Sequence, residues 1–144
     1  MCIRDRFGDF GLDGVLADGR DRRTGSPSGW REFHDECHSD RVLWPVASLY
    51  RMLWAEGHDV EVWTVRPMTH LEMTVKWFSK RSLPLGVIKM AREDEPPDYT
   101  TKLAMLKVDV GSPPDMVVCR CPLEAHMWLT EKVLCLQVQN WGNQ

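Results

Sequence analysis

The sequence predicts an α/β domain in which a mostly parallel central sheet carries helices on both faces. Short apolar segments of strand length alternate with longer segments whose apolar residues recur every three to four positions, which is typical of such sheets. The chain has 144 residues, 43% of them hydrophobic, and this suits one compact domain with one core. We find no internal repeat and expect a single domain.

The first predicted element is a short strand. Residues 7–12 form an apolar stretch that runs into the turn-forming pair Asp13 and Gly14. Residues 18–29, rich in Arg, Asp, Gly, Ser and Pro, are predicted to form a loop. Residues 30–38 are interpreted as a short helix, because apolar residues recur there at helical spacing.

A clearer helix covers residues 45–56, with Pro45 suited to its first turn and Gly57 to its end. Its apolar stripe has a period near 3.6 residues and consists of Val46, Leu49, Tyr50, Leu53 and Trp54. Residues 59–64 follow as a buried strand.

The second half continues the alternation. We predict helices at 69–81, 100–108 and 123–131, strands at 86–90, 116–119 and 133–138, and a loop at 93–99. Sites in parallel sheets lie beyond the carboxyl ends of the strands. Those ends fall near Asp13, Thr64, Met90 and Cys119.

Composition narrows the possible environments and partners. The net charge of −3 provides no global basic field for nucleic acid, so any such contact must be local. Five cysteines without regular spacing, and no secretory signal, favour a reducing, cytoplasmic setting with free thiols. No apolar run approaches the roughly 20 residues of a membrane helix, so we expect no membrane partner.

Residues 1–6, Met-Cys-Ile-Arg-Asp-Arg, resemble the translation of a sequencing-library adapter and are set aside from the fold. We therefore expect the domain to span residues 7–144 and to lack its native beginning.

Four regions carry a family resemblance. Residues 11–18, Gly-Leu-Asp-Gly-Val-Leu-Ala-Asp, resemble the first motif of HAD-superfamily hydrolases, Asp-x-Asp-Gly-Thr followed by Leu-Ala-Asp. Residues 60–67 resemble the second motif, Thr-Gly-Arg-Pro at a strand end. Residues 89–102 and 116–138 are similar to the later segments. The matches are collinear from Phe7 onwards, and the chain resembles a stand-alone 3′-phosphatase domain of polynucleotide kinases.

The resemblance implies a HAD-like Rossmannoid fold with a minimal cap. It also implies a carboxylate nucleophile that forms an aspartyl-phosphate, a second Asp as acid and base, and Mg²⁺ as cofactor. The implied substrate or partner is a phosphorylated nucleic-acid end or a nucleotide. No Gly-x₄-Gly-Lys-Ser/Thr loop occurs, so the kinase half of such enzymes is absent from this sequence.

By this resemblance, Asp13 is the residue that acts as general acid and then as general base, and Thr64 provides the phosphate-binding hydroxyl. Lys102 is the candidate catalytic lysine, with Lys89 and Lys107 as rivals. Arg66 is assigned either to substrate binding or to an ion pair with a surface acid.

Several motif positions depart from the family pattern. Gly11 stands where the nucleophile is expected, Val15 replaces the usual Thr, and Val65 replaces the Gly of the second motif. Cys119 and Arg120 replace the two acids of the fourth motif. We therefore predict a catalytically impaired phosphatase domain to which Mg²⁺ does not bind. The alternative is a non-catalytic phosphate- or nucleotide-binding module, or a decayed relic of the fold.

Three further interpretations concern Asp9, the cysteines and the tryptophans. Asp9 is a substitute nucleophile only if the first strand is bulged. A zinc site built from Cys119, Cys121 and distant residues (Cys37, His34 and His38) has the wrong spacing, so buried free thiols are favoured. The tryptophans on apolar faces are predicted to be core residues rather than base-stacking platforms; they are Trp44, Trp54, Trp63 and Trp77.

Overall fold

The computed structural model describes residues 6–18, 39–95, 99–108 and 113–138, with the backbone alone for residues 6–9. Seven strands and four α-helices lie in these ranges. The strands are β1 (Arg6–Phe10), β2 (Ala17–Asp18), β3 (Arg41–Val42), β4 (Asp59–Pro67), β5 (Ile88–Ala91), β6 (Met116–Cys119) and β7 (Leu134–Gln137). The helices are α1 (Trp44–Ala55), α2 (Leu71–Lys80), α3 (Tyr99–Val108) and α4 (Pro122–Thr130), with a 3₁₀ turn at Met68–His70.

Five strands form a parallel sheet in the order β5-β4-β1-β6-β7. β1 is central, and its residues from Gly8 to Phe10 pair regularly with both β4 and β6. β2 and β3 form a separate antiparallel pair. Since neighbouring parallel strands end at the same edge, the carboxyl ends of β4, β1 and β6 lie side by side, as the sequence predicted.

The sheet separates two apolar clusters. One cluster joins alternate strand residues such as Phe10 and Val62 to α1 and α2, through Tyr50, Trp77 and other side chains. The other joins the intervening strand residues to α3 and α4; its buried members are Trp63, Val117, Cys119, Met127, Trp128 and Val133. Helices therefore cover both faces, because successive side chains of a strand point to opposite sides.

Most predicted elements are present with small shifts at their ends. β4 continues three residues beyond the predicted Thr64 to Pro67, and β5 begins at Ile88 rather than at residue 86. Arg6, which was set aside as part of the adapter-like hexapeptide, begins β1. The predicted helix at residues 30–38, the loop from 19 to 29 and any cap formed there lie outside the described residues.

One core prediction is wrong. Trp63 and Trp77 are buried as expected, but Trp44 is 51% exposed. It stands at the first position of α1, and the guanidinium carbon of Arg51 lies 5.2 Å from its ring centroid.

None of the helices within the described ranges is long and apolar enough to cross a membrane.

Candidate functional site

The candidate site lies where β1, β4 and β6 end. After Phe10 the chain leaves the sheet, and the Gly11 amide donates to the Val118 carbonyl of β6 at 3.0 Å. The Leu12 carbonyl accepts from the amides of Val15, Leu16 and Ala17 at 3.2, 3.0 and 2.9 Å. These bonds close a compact turn, which fixes the backbone around Asp13.

Arg66 binds Asp13 across this edge. Its Nε and Nη2 donate to the two carboxylate oxygens of Asp13 at 3.0 and 2.7 Å. Nη2 also contacts Asp40 at 3.4 Å, and Nη1 donates to the Thr74 hydroxyl at 3.2 Å. The fork geometry holds Asp13 in one orientation, because both of its oxygens are engaged by a rigid planar group.

The burial of Arg66 bears on both roles considered for it. Its side chain is fully buried, and Asp40 and Thr74 are buried beside it. Its partners are therefore the buried Asp40 and Thr74 and the partly exposed Asp13. The Asp13 side chain keeps 21% exposure and is the member of this group open to solvent.

Thr64 lies on the same strand two residues before Arg66. Its hydroxyl oxygen accepts the backbone N–H of Arg66 at 3.1 Å, and the residue is 2% exposed. Val65, in place of the expected glycine, belongs to the continuous strand β4. The structure thus brings Thr64, Arg66 and Asp13 together at the end of β4.

Gly11 lies beside Lys102. A Cβ added to Gly11 would be 3.4 Å from Lys102 Nζ and 3.1 Å from Cγ2 of Val15. Val15 is buried, so a side chain at position 11 would be crowded by it. Gly11 and Val15 are therefore packed against each other.

Lys102 is held by a buried carboxylate. Its Nζ donates to Glu124 Oε1 at 2.8 Å, and Glu124 Oε2 accepts from the Trp128 indole at 3.1 Å. The rival lysines lie elsewhere. Lys89 stacks over the ring of Trp63, with its Nζ 4.3 Å from the ring centroid, and Lys107 is exposed on α3. Among the three candidates, Lys102 is therefore the one that the structure places beside position 11.

Asp9, the substitute nucleophile for a bulged strand, lies inside β1 opposite Glu61 and Val117. The register of β1 against β4 does shift between Arg6 and Gly8, but this shift precedes Asp9, and the pairing from Gly8 to Phe10 is regular. The irregularity therefore does not move Asp9 towards position 11. Its side chain lies outside the part of the chain that the structure describes.

Cys119 and Cys135 form a close thiol pair between β6 and β7. Their sulfur atoms are 2.8 Å apart, and Cys119 is fully buried. Hydrogen bonding to Cys135, together with burial, raises the pKa of the Cys119 thiol far above its usual range. The same hydrogen bond lowers the pKa of Cys135. Cys119, Cys121 and Cys135 are free, as expected from the composition.

Arg120 folds back from the end of β6 onto the turn after β1. Gly14 has a φ of +77°, and a Cβ there would overlap Cδ of Arg120 and lie 2.8 Å from its Nε and 3.3 Å from its Cζ. The Arg120 carbonyl accepts from the Gln137 side-chain amide at 3.1 Å. A guanidinium group therefore lies directly against the Asp13-Gly14 turn.

The residues at this edge do not fit a divalent cation. Mg²⁺ binds oxygen ligands, chiefly carboxylates, in octahedral geometry. Here Gly11 supplies no carboxylate, both oxygens of Asp13 face Arg66, and Arg120 brings a positive charge. Within the described ranges, no group of three or more His, Cys, Asp or Glu side chains could hold a metal ion. The residues at positions 34, 37 and 38, which the disfavoured zinc site would also need, lie outside those ranges.

Sequence reasoning missed three residues of these networks. Asp40 and Thr74 bind Arg66, and Glu124 binds Lys102. A buried charge needs a partner, so a carboxylate near Lys102 was to be expected in general. No spacing in the sequence identifies Glu124, which lies 22 positions away on another helix.

No protein-family model and no curated protein sequence matches the chain. Several solved structures are similar to it in fold. The chain is similar to one in the structure of a Pnkp1/Rnl/Hen1 complex, with a TM-score of 0.79 and 19% identity over 99% of this chain and 49% of that one. A chain of the Pnkp1/Rnl/Hen1 RNA repair complex gives 0.78 and 20%, covering 95% and 43%.

A second kind of neighbour is the class C acid phosphatase from Bacillus anthracis. Its TM-score is 0.63 at 10% identity, over 99% of this chain and 75% of that one. At such low sequence identities, the structural similarity shows that these chains share a fold. The chain spans about half the length of the matched chains in the two RNA repair structures.

Proposed function

We propose that the chain is a HAD-like, Rossmannoid phosphatase-fold domain that binds a phosphorylated nucleic-acid end or a nucleotide with little or no hydrolysis. One observation carries the proposal. Asp13, the Thr64–Arg66 segment, Lys102 and Arg120 converge at the carboxyl ends of three neighbouring strands.

The fold neighbours support the class of ligand. One is a phosphatase and the others belong to RNA repair complexes, so both kinds of neighbour point to phosphate-bearing substrates. Function resides in the site rather than in the fold, however, so the argument rests on the residues at the sheet edge. Arg and Lys side chains, together with a hydroxyl near the carboxyl end of β4, form a set that suits an oxyanion.

The same residues argue against turnover. The resemblance places the nucleophile at position 11, and glycine has no atom that can attack phosphorus. The neighbouring Lys102 is engaged by Glu124, and Asp13 by Arg66. The arrangement therefore lacks the group that would form a covalent intermediate.

Binding is tested with two oligonucleotides of one sequence, ending in a 3′-phosphate or a 3′-hydroxyl. We expect the phosphorylated form to bind about tenfold more tightly, since charge-assisted hydrogen bonds contribute roughly 1.5 to 3 kcal/mol. Fluorescence anisotropy at fixed salt measures both affinities. Equal affinities would contradict phosphate recognition, and the proposal would fail.

Hydrolysis is tested separately. We expect no release of phosphate from p-nitrophenyl phosphate or from the 3′-phosphorylated oligonucleotide above background, with or without Mg²⁺, because loss of the nucleophile removes several orders of magnitude of rate. Robust turnover that Asp9→Asn abolishes would show that the nucleophile lies at position 9.

A further inference from the structure

We propose that Arg120 takes the place of the divalent cation, so that the site binds a phosphate group without metal. This inference rests on the proposed phosphate-binding function and identifies the group that would recognise the phosphate. The feature that carries it is the position of the Arg120 guanidinium against the Asp13-Gly14 turn.

Gly14 makes this position possible. Cδ, Nε and Cζ of Arg120 all fall within 3.3 Å of the point where a Cβ of residue 14 would stand. Any larger residue would displace the arginine. The positive φ of +77° at Gly14 also favours glycine, since side chains disfavour the left-handed region. The side chain of Arg120 therefore packs against Gly14, and its guanidinium group lies at the turn.

The surrounding charges leave Arg120 as the available cation. Arg66 is neutralised by Asp13 and Asp40, and Lys102 by Glu124. No carboxylate in the described part of the chain forms an ion pair with Arg120, which is half-buried. A phosphate at this turn would therefore meet one positive group that is not already paired.

An arginine can perform the binding part of the role of a metal. Its planar fork matches two phosphate oxygens and remains charged at any physiological pH. It cannot lower the pKa of water or share inner-sphere oxygens as Mg²⁺ does. Recognition without hydrolysis is the expected consequence, and it agrees with the absence of a nucleophile at Gly11.

The test measures the midpoint of thermal unfolding against inorganic phosphate, with ionic strength held constant by chloride. Each titration is done in EDTA and in MgCl₂. A ligand that binds the folded state raises the midpoint according to its concentration relative to Kd. For the wild-type chain we expect the same phosphate-dependent rise in both buffers.

Two variants and two matched controls locate the effect. Arg120→Gln removes the positive charge. Gly14→Ala keeps that charge but fills the space in which the arginine side chain packs. Each variant should weaken phosphate binding about tenfold or more. Lys76→Gln removes one exposed positive charge on α2, and Gly57→Ala places alanine at a positive φ with open space around it. Both controls should respond to phosphate as wild type does.

The outcomes separate this inference from the proposed function. A rise in midpoint that requires MgCl₂, or one that Arg120→Gln leaves intact, overturns the role of Arg120 while phosphate binding survives. No response of the wild-type chain in either buffer overturns phosphate binding and the inference with it. A metal-independent response that both site variants lose, and both controls keep, supports the inference.

Discussion

At the residue scale, the buried polar side chains depend on one another. Arg66 is fully buried and contacts two carboxylates and a hydroxyl. Desolvating a guanidinium is costly, and this set of partners offsets that cost. Removing the arginine would leave Asp13 and Asp40 without their shared cation. Orientation of Asp13 and stability of the fold are therefore linked through a single residue.

Tyr50 provides a pH-dependent test of the core. Its hydroxyl donates to the Pro84 carbonyl, and burial raises its pKa from 10.0 to about 12. Below pH 10 the phenol is protonated in the folded and unfolded chain alike. Between pH 10 and 12 the unfolded chain loses the proton first, so the free energy of unfolding should fall by roughly 2 to 3 kcal/mol.

Urea unfolding between pH 9 and 12 measures this fall, and Tyr50→Phe should remove that part of it. Because the sequence has two tyrosines, Tyr99→Phe leaves Tyr50 as the one phenol whose ionisation changes the absorbance in a direct titration. A midpoint near pH 10 in that variant would show that Tyr50 is not desolvated.

At the element scale, three helices end in the same way. An amide just beyond the helix donates back to a carbonyl five residues earlier: His58 to Leu53 after α1, and the equivalent bonds after α2 and α4. Each ending contains a residue with positive φ, namely Gly57, Ser82 and Lys132. Glycine adopts that conformation without steric cost, whereas serine and lysine do not.

The difference between these endings predicts opposite effects of substitution. Lys132→Gly should raise the free energy of unfolding by about 1 kcal/mol, and Gly57→Ala should lower it by a similar amount. No atom lies within 4 Å of a Cβ at Gly57, so the second effect is conformational rather than a clash. Urea denaturation measures both. A loss of stability in Lys132→Gly would mean that the lysine side chain, not its backbone, stabilises the end of α4.

At the scale of the whole molecule, the site is assembled from strand ends distant in sequence. Gly11 and Val15 come from the turn after β1, Lys102 from α3 and Arg120 from the end of β6. The residues at these positions pack against one another, since Val15 lies beside Gly11 and the absence of a side chain at Gly14 accommodates Arg120. Changing one of them alone therefore disturbs its neighbours.

Gly11→Asp by itself should leave Mg²⁺-dependent turnover at background. The new side chain would crowd Val15, its carboxylate would lie near Lys102, and Arg120 would still oppose a cation. The triple variant Gly11→Asp, Cys119→Asp, Arg120→Asp should exceed the sum of its single changes, because residues that act as a unit are non-additive. Phosphate release from p-nitrophenyl phosphate, with and without Mg²⁺, compares them.

Near-ultraviolet circular dichroism controls for folding in this series, since Cys119 is fully buried and contacts Cys135. Full Mg²⁺-dependent activity from Gly11→Asp alone would show that Cys119 and Arg120 do not occupy the positions of the metal-binding acids.

By itself, the sequence determined the local features of the protein. Apolar periodicity, Pro45 at the start of α1 and Gly57 at its end predicted the five strands of the parallel sheet and the four α-helices, because these signals act over a few neighbouring residues. They did not predict the short antiparallel pair of β2 and β3. The predicted strand ends also placed Asp13 and Thr64 at one edge of the sheet, since parallel strands share an edge for their carboxyl ends.

Only the tertiary structure decided which side chains meet. Arg66 reaches Asp13 across 53 positions, Lys102 meets Glu124 on another helix, and Arg120 crosses the turn at Gly14. The exposure of Trp44 was decided in the same way. Such contacts depend on strand order and on the space left by packing. Neither is encoded in the spacing of residues along the chain, because each results from the free energy of the whole assembled core.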